Sequence, residues 1–378
     1  MIKRNFEENR YNYFLFGIVI LLLCIGLVMV YSASHHVALK KYEDGSLFFR
    51  KHFYRVLAGL IVMAITALIP YKMWLSTAKF WLLLGIGLLA AVLIFGESHG
   101  TATRWIKIYG FQFQPVDFVR LAIIFYLTDA MVRKQEYLDD WKVGILPQFI
   151  VLGLVSVLLL KQPDMGSVVI LFTIGTVIFL TAGVPFLHIG TILTLGVVAA
   201  PFFLKQYQWI RIKNYFDSIF HDLPLSYQVQ QSLISLGNGG LIGQGLDNST
   251  QKLEFLPEPF TDFIFAIVGE EFGFLGALIL LTLFLLIVME GYRIAYKCRD
   301  EGGAILATGI TTSLALYAFL NAGVVCNLFP TKGLPMPLIS YGGSFMISSL
   351  AGIGILLNIS QHNEFRLAGK KRRRSERR

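Results

Sequence analysis

Four short stretches of this chain set acids and bases among prolines, glycines and aromatic residues within otherwise apolar sequence. The first runs from Arg104, Trp105 and Lys107 into Gln114, Pro115, Asp117 and Arg120. The second is Gln162-Pro163-Asp164-Met165-Gly166. The third is Leu256-Pro257-Glu258-Pro259-Phe260-Thr261-Asp262-Phe263, with Glu270 and Glu271 following. The fourth is Pro330-Thr331-Lys332-Gly333-Leu334-Pro335, then Ser340-Tyr341-Gly342-Gly343-Ser344. An ionisable group in or beside an apolar span is costly to insert, so each implies a partner or a task. Guanidinium and ammonium groups such as Arg104, Lys107, Lys332 and Lys252 can hold a pyrophosphate. A carboxylate such as Asp262, Glu258 or Glu270 can take a proton from an attacking hydroxyl. Together they suit an anionic, membrane-tethered substrate, and on residue types alone an enzyme and a transporter both remain open.

Several of these residues also have purely structural explanations. Asp117 and Arg120 lie three apart on a helix that Pro115 can start, which is pairing distance. Asp164 stands at the head of an apolar run, where an aspartate caps a helix. Thr261 or Asp262 can cap the next one, and an acid in a first turn suits the helix dipole. Capping does not account for Glu270 and Glu271, about two turns further on. The prolines and glycines of the fourth stretch predict an irregular re-entrant backbone, tolerable at membrane depth only where protein or water satisfies it.

The elements that must position these groups are membrane helices. Of 378 residues, 55% are hydrophobic and 15% charged, against about 25% charged in a soluble domain. This composition excludes a soluble globular protein and a disordered chain. Apolar runs of spanning length predict an all-α integral membrane protein with about ten transmembrane helices, near 13–31, 53–70, 79–95, 116–132, 143–160, 165–182, 187–204, 262–289, 303–328 and 342–360. The first reads as a retained anchor, because no small-residue cleavage site follows it. Segment 205–261 is then a large loop between the seventh and eighth spans. Its stretch Leu225, Val229, Leu233, Ile234 and Leu236 is spaced for a helix lying on a surface, and its cluster Gly237, Gly239, Gly240, Gly243 and Gly245 predicts a tight backbone-exposed loop. The formal charge is +9, and Lys370 to Arg378 alone supply seven positives and one negative. By the positive-inside rule this basic tail, 361–378, favours cytoplasmic termini, which places all four motifs on the extracytoplasmic side. The tail also suits anionic lipid, and without an accompanying fold it does not indicate nucleic acid. Cys24, Cys298 and Cys326 form neither a zinc pattern nor a disulfide framework.

The strings RWIKIYGFQFQP, QPDMGS, GQGLDNSTQKLEFLPEPFTDFIFAIVGEEFG and PTKGLPMPLISYGGS closely resemble the SEDS family (shape, elongation, division and sporulation) of bacterial cell-wall proteins, from the first span to the last. Ser249-Thr250-Gln251-Lys252, Gly269 and Thr331-Lys332-Gly333 look most like its division-type branch; elongation and sporulation paralogues share its polymerase chemistry. The resemblance implies a ten-helix protein of the bacterial cytoplasmic membrane that polymerises lipid II into glycan strands on the outer face. It implies a class B penicillin-binding protein as partner, alongside other division proteins, and it puts the essential carboxylate of the family's LPE-x-H-T-D-F motif on Asp262. The expected substrate contacts are Arg104, Trp105, Lys107, Lys252, Glu258, Lys332 and Ser340, with Asp117, Arg120, Asp164 and Glu270 in support. No cofactor is expected, and no ligand cluster of hard-metal spacing supports a divalent cation. The alternative activity is a lipid II flippase, which needs charged residues deep in several spans and for which Glu270, Glu271 and Asp129 speak. Three departures from the family pattern stand out: Phe260 in place of His, Asp117 and Arg120 in place of Glu and Lys, and Phe345 in place of Ser.

Overall fold

The computed structural model describes residues 12–99, 102–108, 111–221 and 224–375. The side chains of the expected basic tail beyond Gln361, and residues 376–378 altogether, lie outside the described residues. In chain order the helices are α1 (Tyr13–Tyr42), α2 (Leu47–Leu68), α3 (Tyr71–Ser76), α4 (Ala78–Phe95), α5 (Pro115–Arg133), α6 (Leu146–Lys161), α7 (Met165–Ala182), α8 (Phe186–Phe203), α9 (Gln206–Phe220), α10 (Tyr227–Gly239), α11 (Ile264–Lys297), α12 (Glu301–Val325) and α13 (Gly343–Ser375). Eight segments in the described residues are long and apolar enough to cross a membrane. Helix α5 carries Asp117, Arg120, Asp129 and Arg133 in its 19 residues, and the apolar stretch described for α8 is the shorter Phe186–Gly196. The fold is that of an all-α, multi-pass membrane protein.

Several helices start for local reasons. Pro115 sits in the first turn of α5, where its missing N–H costs nothing. Asp164 and Asp300 cap α7 and α12 by accepting from the backbone N–H groups of Ser167 and Gly303. Helix α12 is almost wholly enclosed, and its run of Gly302, Gly303, Ala307, Thr308, Gly309, Thr311, Thr312 and Ser313 explains why. Small side chains let neighbouring helices approach closely in lipid, where packing rather than water drives association. Most other spans keep an apolar face outward, as Leu83, Ile94, Leu278 and Ile279 do.

Two parts of the fold depart from expectation. Between the expected spans 79–95 and 116–132, where no element was expected, lies a three-stranded antiparallel sheet, β1 (Glu97–His99), β2 (Ala102–Ile108) and β3 (Phe111–Phe113). The surface-lying helix of the large loop is α9, not the stretch around Leu225 to Leu236. Trp209, Ile210, Phe216 and Phe220 are exposed on α9, as suits an interfacial helix. Helix α10 instead docks on α11 and α12, because its inner side is small and polar. Ser235 Oγ donates to the Ala266 carbonyl at 3.1 Å and Ser232 Oγ to that of Val325 at 2.9 Å.

The glycine cluster has a specific task. Helix α11 breaks at Gly273, where φ is +68° and ψ −167°, a conformation that only glycine adopts cheaply. The break frees backbone groups inside an apolar span, and the glycine loop satisfies them. Gln244 N–H donates to the Glu270 carbonyl and Gly245 N–H to that of Glu271, both at 3.0 Å, while Phe274 N–H donates to Gly240 at 2.8 Å and Leu275 N–H to Leu241 at 3.1 Å. Irregular backbone survives at membrane depth under this condition.

Candidate active site

The four motifs converge on one cavity of about 480 Å³. Strand β2 brings Arg104 and Trp105 to its wall, α5 brings Asp117, the head of α7 brings Asp164 and Ser167, and the turn before α11 brings Glu258, Phe260, Thr261 and Asp262. Gly333 to Pro335 and Tyr341 to Phe345 close the remaining side.

Asp262 is held from behind. Asn321 of α12 donates its side-chain amide to the Asp262 carbonyl at 2.7 Å and to the Leu334 carbonyl at 2.5 Å. Ser340 Oγ donates to the Thr261 carbonyl at 2.5 Å, and Tyr341 N–H to that of Phe260 at 2.9 Å. Two irregular segments far apart in sequence are thereby fastened side by side, and the half-buried Asp262 carboxylate lies against Gly333. Burial pushes this carboxyl up to about 7; the Glu258 carboxylate adds to the rise, and Lys332 and Arg104 oppose it. Glu258 itself accepts from Thr261 Oγ1 at 2.9 Å.

A cationic group stands beside it. Lys332 Nζ lies 3.6 Å from Asp164 Oδ1, and Arg104 Nη1 lies 4.0 Å from the same oxygen. Arg104 also donates to the carbonyls of Gln162 and Pro163, which aims its guanidinium across the mouth of α7. Burial, with Arg104 adding to it, lowers Lys332 to about 8 against the opposing pull of Asp164 and Asp262. Burial alone would raise Asp164, but Lys332, Arg104 and two hydrogen bonds from Ser167 outweigh it and hold the carboxyl below its ordinary range. Gly166 leaves the room that Lys332 needs: a Cβ there would overlap the lysine's Cδ, Cε and Nζ.

The deeper charges of the first motif turn to α13. Asp117 accepts from Ser344 Oγ at 2.7 Å, and Arg120 donates to Ser348 Oγ at 2.9 Å. Arg120 also lies over the rings of Tyr317 and Phe345, at 4.6 and 4.7 Å, so Phe345 gives this arginine an aromatic face. Phe260 packs with Phe48 and Tyr341 at ring distances of 4.9 and 5.6 Å.

Three expected contacts and one expected supporting residue are placed off the cavity wall. Lys252 is buried away from the cavity, 3.1 Å from Glu271 Oε1 and 3.0 Å from Ser32 Oγ, and it also reaches Asp247. Glu270 accepts from Ser235, Ser249, Thr250 and the Gln251 backbone. The two glutamates therefore clasp the large loop onto α11, a role that spacing along one helix does not reveal. Ser340 is a buried strut, and Lys107 is exposed on β2 opposite Gln112. Sequence reasoning missed Arg55, which lines the cavity from α2. An arginine that follows Arg50 and Lys51 into the apolar part of α2 was the signal that could have found it.

The family model for FtsW, RodA and SpoVE, described as "Cell cycle protein", matches residues 12–365. This chain belongs to that family. Among its FtsW/RodA/SpoVE relatives, a probable peptidoglycan glycosyltransferase FtsW of Trichlorobacter lovleyi is 38% identical over 367 residues, covering 95% of this chain and 96% of the relative. The Bacillus subtilis protein of the same description is 34% identical, covering 98% and 95%. Among solved structures, a chain of a peptidoglycan synthase complex superposes with a TM-score of 0.76 at 24% identity, covering 93% of this chain and 98% of that one. The rod shape determining protein RodA of Thermus thermophilus superposes at 0.69 and 23%, covering 93% and 97%. These superpositions support the shared fold.

Proposed function

We propose that this chain is an inverting peptidoglycan glycosyltransferase that polymerises lipid II for septal wall synthesis, with Asp262 as its general base. The observation that carries the reading is a half-buried carboxylate, raised to about 7, on the wall of a cavity that also holds Arg104 and adjoins Lys332. Asp262 takes the proton of the acceptor sugar's 4-hydroxyl as that oxygen attacks the donor's anomeric carbon. The bond from that carbon to the undecaprenyl pyrophosphate breaks in the same step, so configuration inverts. Arg104 and Lys332 stabilise the charge gathering on the departing pyrophosphate, and Asp164 holds the two cations in register. The cavity faces the extracytoplasmic side, both termini lie in the cytoplasm, and a class B penicillin-binding protein cross-links the strand.

The test is polymer formation from lipid II by the purified chain with its cognate transpeptidase. Polymer is expected; transfer of lipid II across vesicle membranes without polymer would support a flippase instead. The acids that favoured transport have local partners: Glu270 and Glu271 clasp the large loop, and Asp129 pairs with Arg133 at 2.7 Å. Gly166→Ala offers a second check, since the added methyl displaces Lys332. Turnover is expected to fall by roughly 10- to 100-fold while lipid II binding and thermal stability change little. An unchanged turnover number would remove Lys332 from the reaction.

A further inference from the structure

Lys332 reaches Asp164 from a stretch of chain with no regular structure, since α12 ends at Val325 and α13 begins at Gly343. Part of what holds that stretch comes from α9. Arg211 Nη1 donates to the Thr331 carbonyl at 3.0 Å, and the Tyr215 hydroxyl donates to the Leu328 carbonyl at 2.7 Å. The Thr331 carbonyl belongs to the peptide bond that joins Thr331 to Lys332. The first bond therefore holds the backbone of the lysine itself.

Helix α9 differs from α10, which buries an inner side on α11 and α12. No residue of α9 is buried. Its exposed Trp209, Phe216, Ile219 and Phe220 recur at helical spacing on one side, and the rings of Phe216 and Phe220 stack at 6.3 Å. Leu328 and Phe329, beside Tyr215, are exposed as well. Exposed Lys213 borders the apolar side and exposed Lys205 precedes the first turn, so segment 205–220 carries three cations, with Arg211, against the single acid Asp217. Only Leu204 and Lys205 separate α9 from the apolar helix α8, a reach of about 10 Å. A helix so placed stays at the membrane boundary, where its apolar side meets acyl chains and its flanking cations meet lipid phosphates.

We infer that α9 seats its Trp209 to Phe220 side in a lipid leaflet, with anionic phospholipid as the preferred surface, and that this seat positions Lys332 through Arg211 and Tyr215. The seat and the strap rest on geometry. What Lys332 does once positioned rests on the polymerase reading. Arg211 and Tyr215 are positioning residues that act through the peptide backbone. A cation on an irregular segment is easily misplaced, and a shift of roughly 1 Å can cost about 10²-fold in rate.

The test uses the full chain in vesicles of phosphatidylcholine, alone or mixed with phosphatidylglycerol. Lipids with brominated acyl chains are expected to quench the share of tryptophan emission that Trp209→Phe removes. Phosphatidylglycerol should slow hydrogen exchange of the backbone amides from Leu328 to Gly333 by about fivefold, the effect of roughly one cation at an anionic surface, and Lys213→Gln should erase that slowing. Joining Arg211→Met to Tyr215→Phe should leave the quenching in place and speed the same exchange by about tenfold, the loss of two hydrogen bonds. Arg211→Lys, which keeps a donor, should exchange like wild type. With no residue of α9 buried, none of these changes should unfold the bundle. In polymerisation, the double variant should lower the turnover number by about 10- to 100-fold and leave the half-saturating lipid II concentration unchanged. Unquenched Trp209 emission in wild type overturns the lipid seat, and quenching abolished by the transpeptidase would give the surface to a protein partner instead. Exchange indifferent to phosphatidylglycerol overturns the anionic preference, and exchange or turnover indifferent to the double variant overturns the positioning of Lys332. Quenching and exchange as expected, with no polymer from wild type, would leave the seat and strap standing and the polymerase reading fallen.

Discussion

Asp262→Asn is expected to reduce lipid II polymerisation by about 10²- to 10⁴-fold, the contribution typical of a positioned general base. Asparagine keeps the size and the hydrogen-bonding backbone that Asn321 holds, so the chain should remain folded and still bind lipid II. Wild-type turnover should also follow a bell in pH. Asp262 must be deprotonated to accept a proton, and with its carboxyl at about 7 the rate should fall as pH drops below that value. Lys332 must be protonated to serve the pyrophosphate, and with its ammonium at about 8 the rate should fall again as pH rises past it. Titrating turnover from pH 5 to 10 checks both limbs. An acid limb that persists unchanged in residual Asp262→Asn activity would assign it to another group.

Lys252→Met is expected to destabilise the protein by about 3–5 kcal/mol, the usual consequence of breaking a buried ion pair from one side. Its side chain and that of Glu271 are 4% and 0% exposed, so Glu271 would be left charged in the interior with Ser32 still donating to it, at 2.6 Å. The damage should concentrate in the segment from Gln244 to Glu258, because Lys252 and the Glu270 hydrogen bonds are what press that segment onto α11. Thermal unfolding in detergent together with limited proteolysis measures both effects. Adding Glu271→Gln to Lys252→Met should recover much of the loss, since the second change removes the stranded charge. Equal losses in the single and double variants would mean that the pair is not the clasp.

Membrane character, the helical segments and the motifs that hold the charged residues were legible in sequence because each depends on local composition. An apolar run of about 20 residues has few alternatives to a spanning helix, since a lipid-exposed backbone must satisfy its own hydrogen bonds. The same logic marked the acids and bases as expensive. It also marked Arg55, which was overlooked beside Arg50 and Lys51 at the start of the same helix. Segment 96–115 was harder: its strands are short, and pairing Glu97 with Trp105 and Lys107 with Gln112 depends on register rather than on composition.

What the sequence by itself determined is the membrane class, the family and the motifs from which the cavity is built. Which charges face that cavity was decided only in three dimensions. Lys252 and Lys332 look alike in sequence, each a lysine beside turn residues. One is buried against Glu271 because the break at Gly273 draws the glycine loop down onto α11. The other reaches Asp164 because Gly166 leaves space on α7. A salt bridge is made by two elements, and its partner can lie anywhere along the chain. Spacing along one helix reveals neighbours within a turn or two, and only packing shows whether a buried charge clasps a loop or faces a ligand.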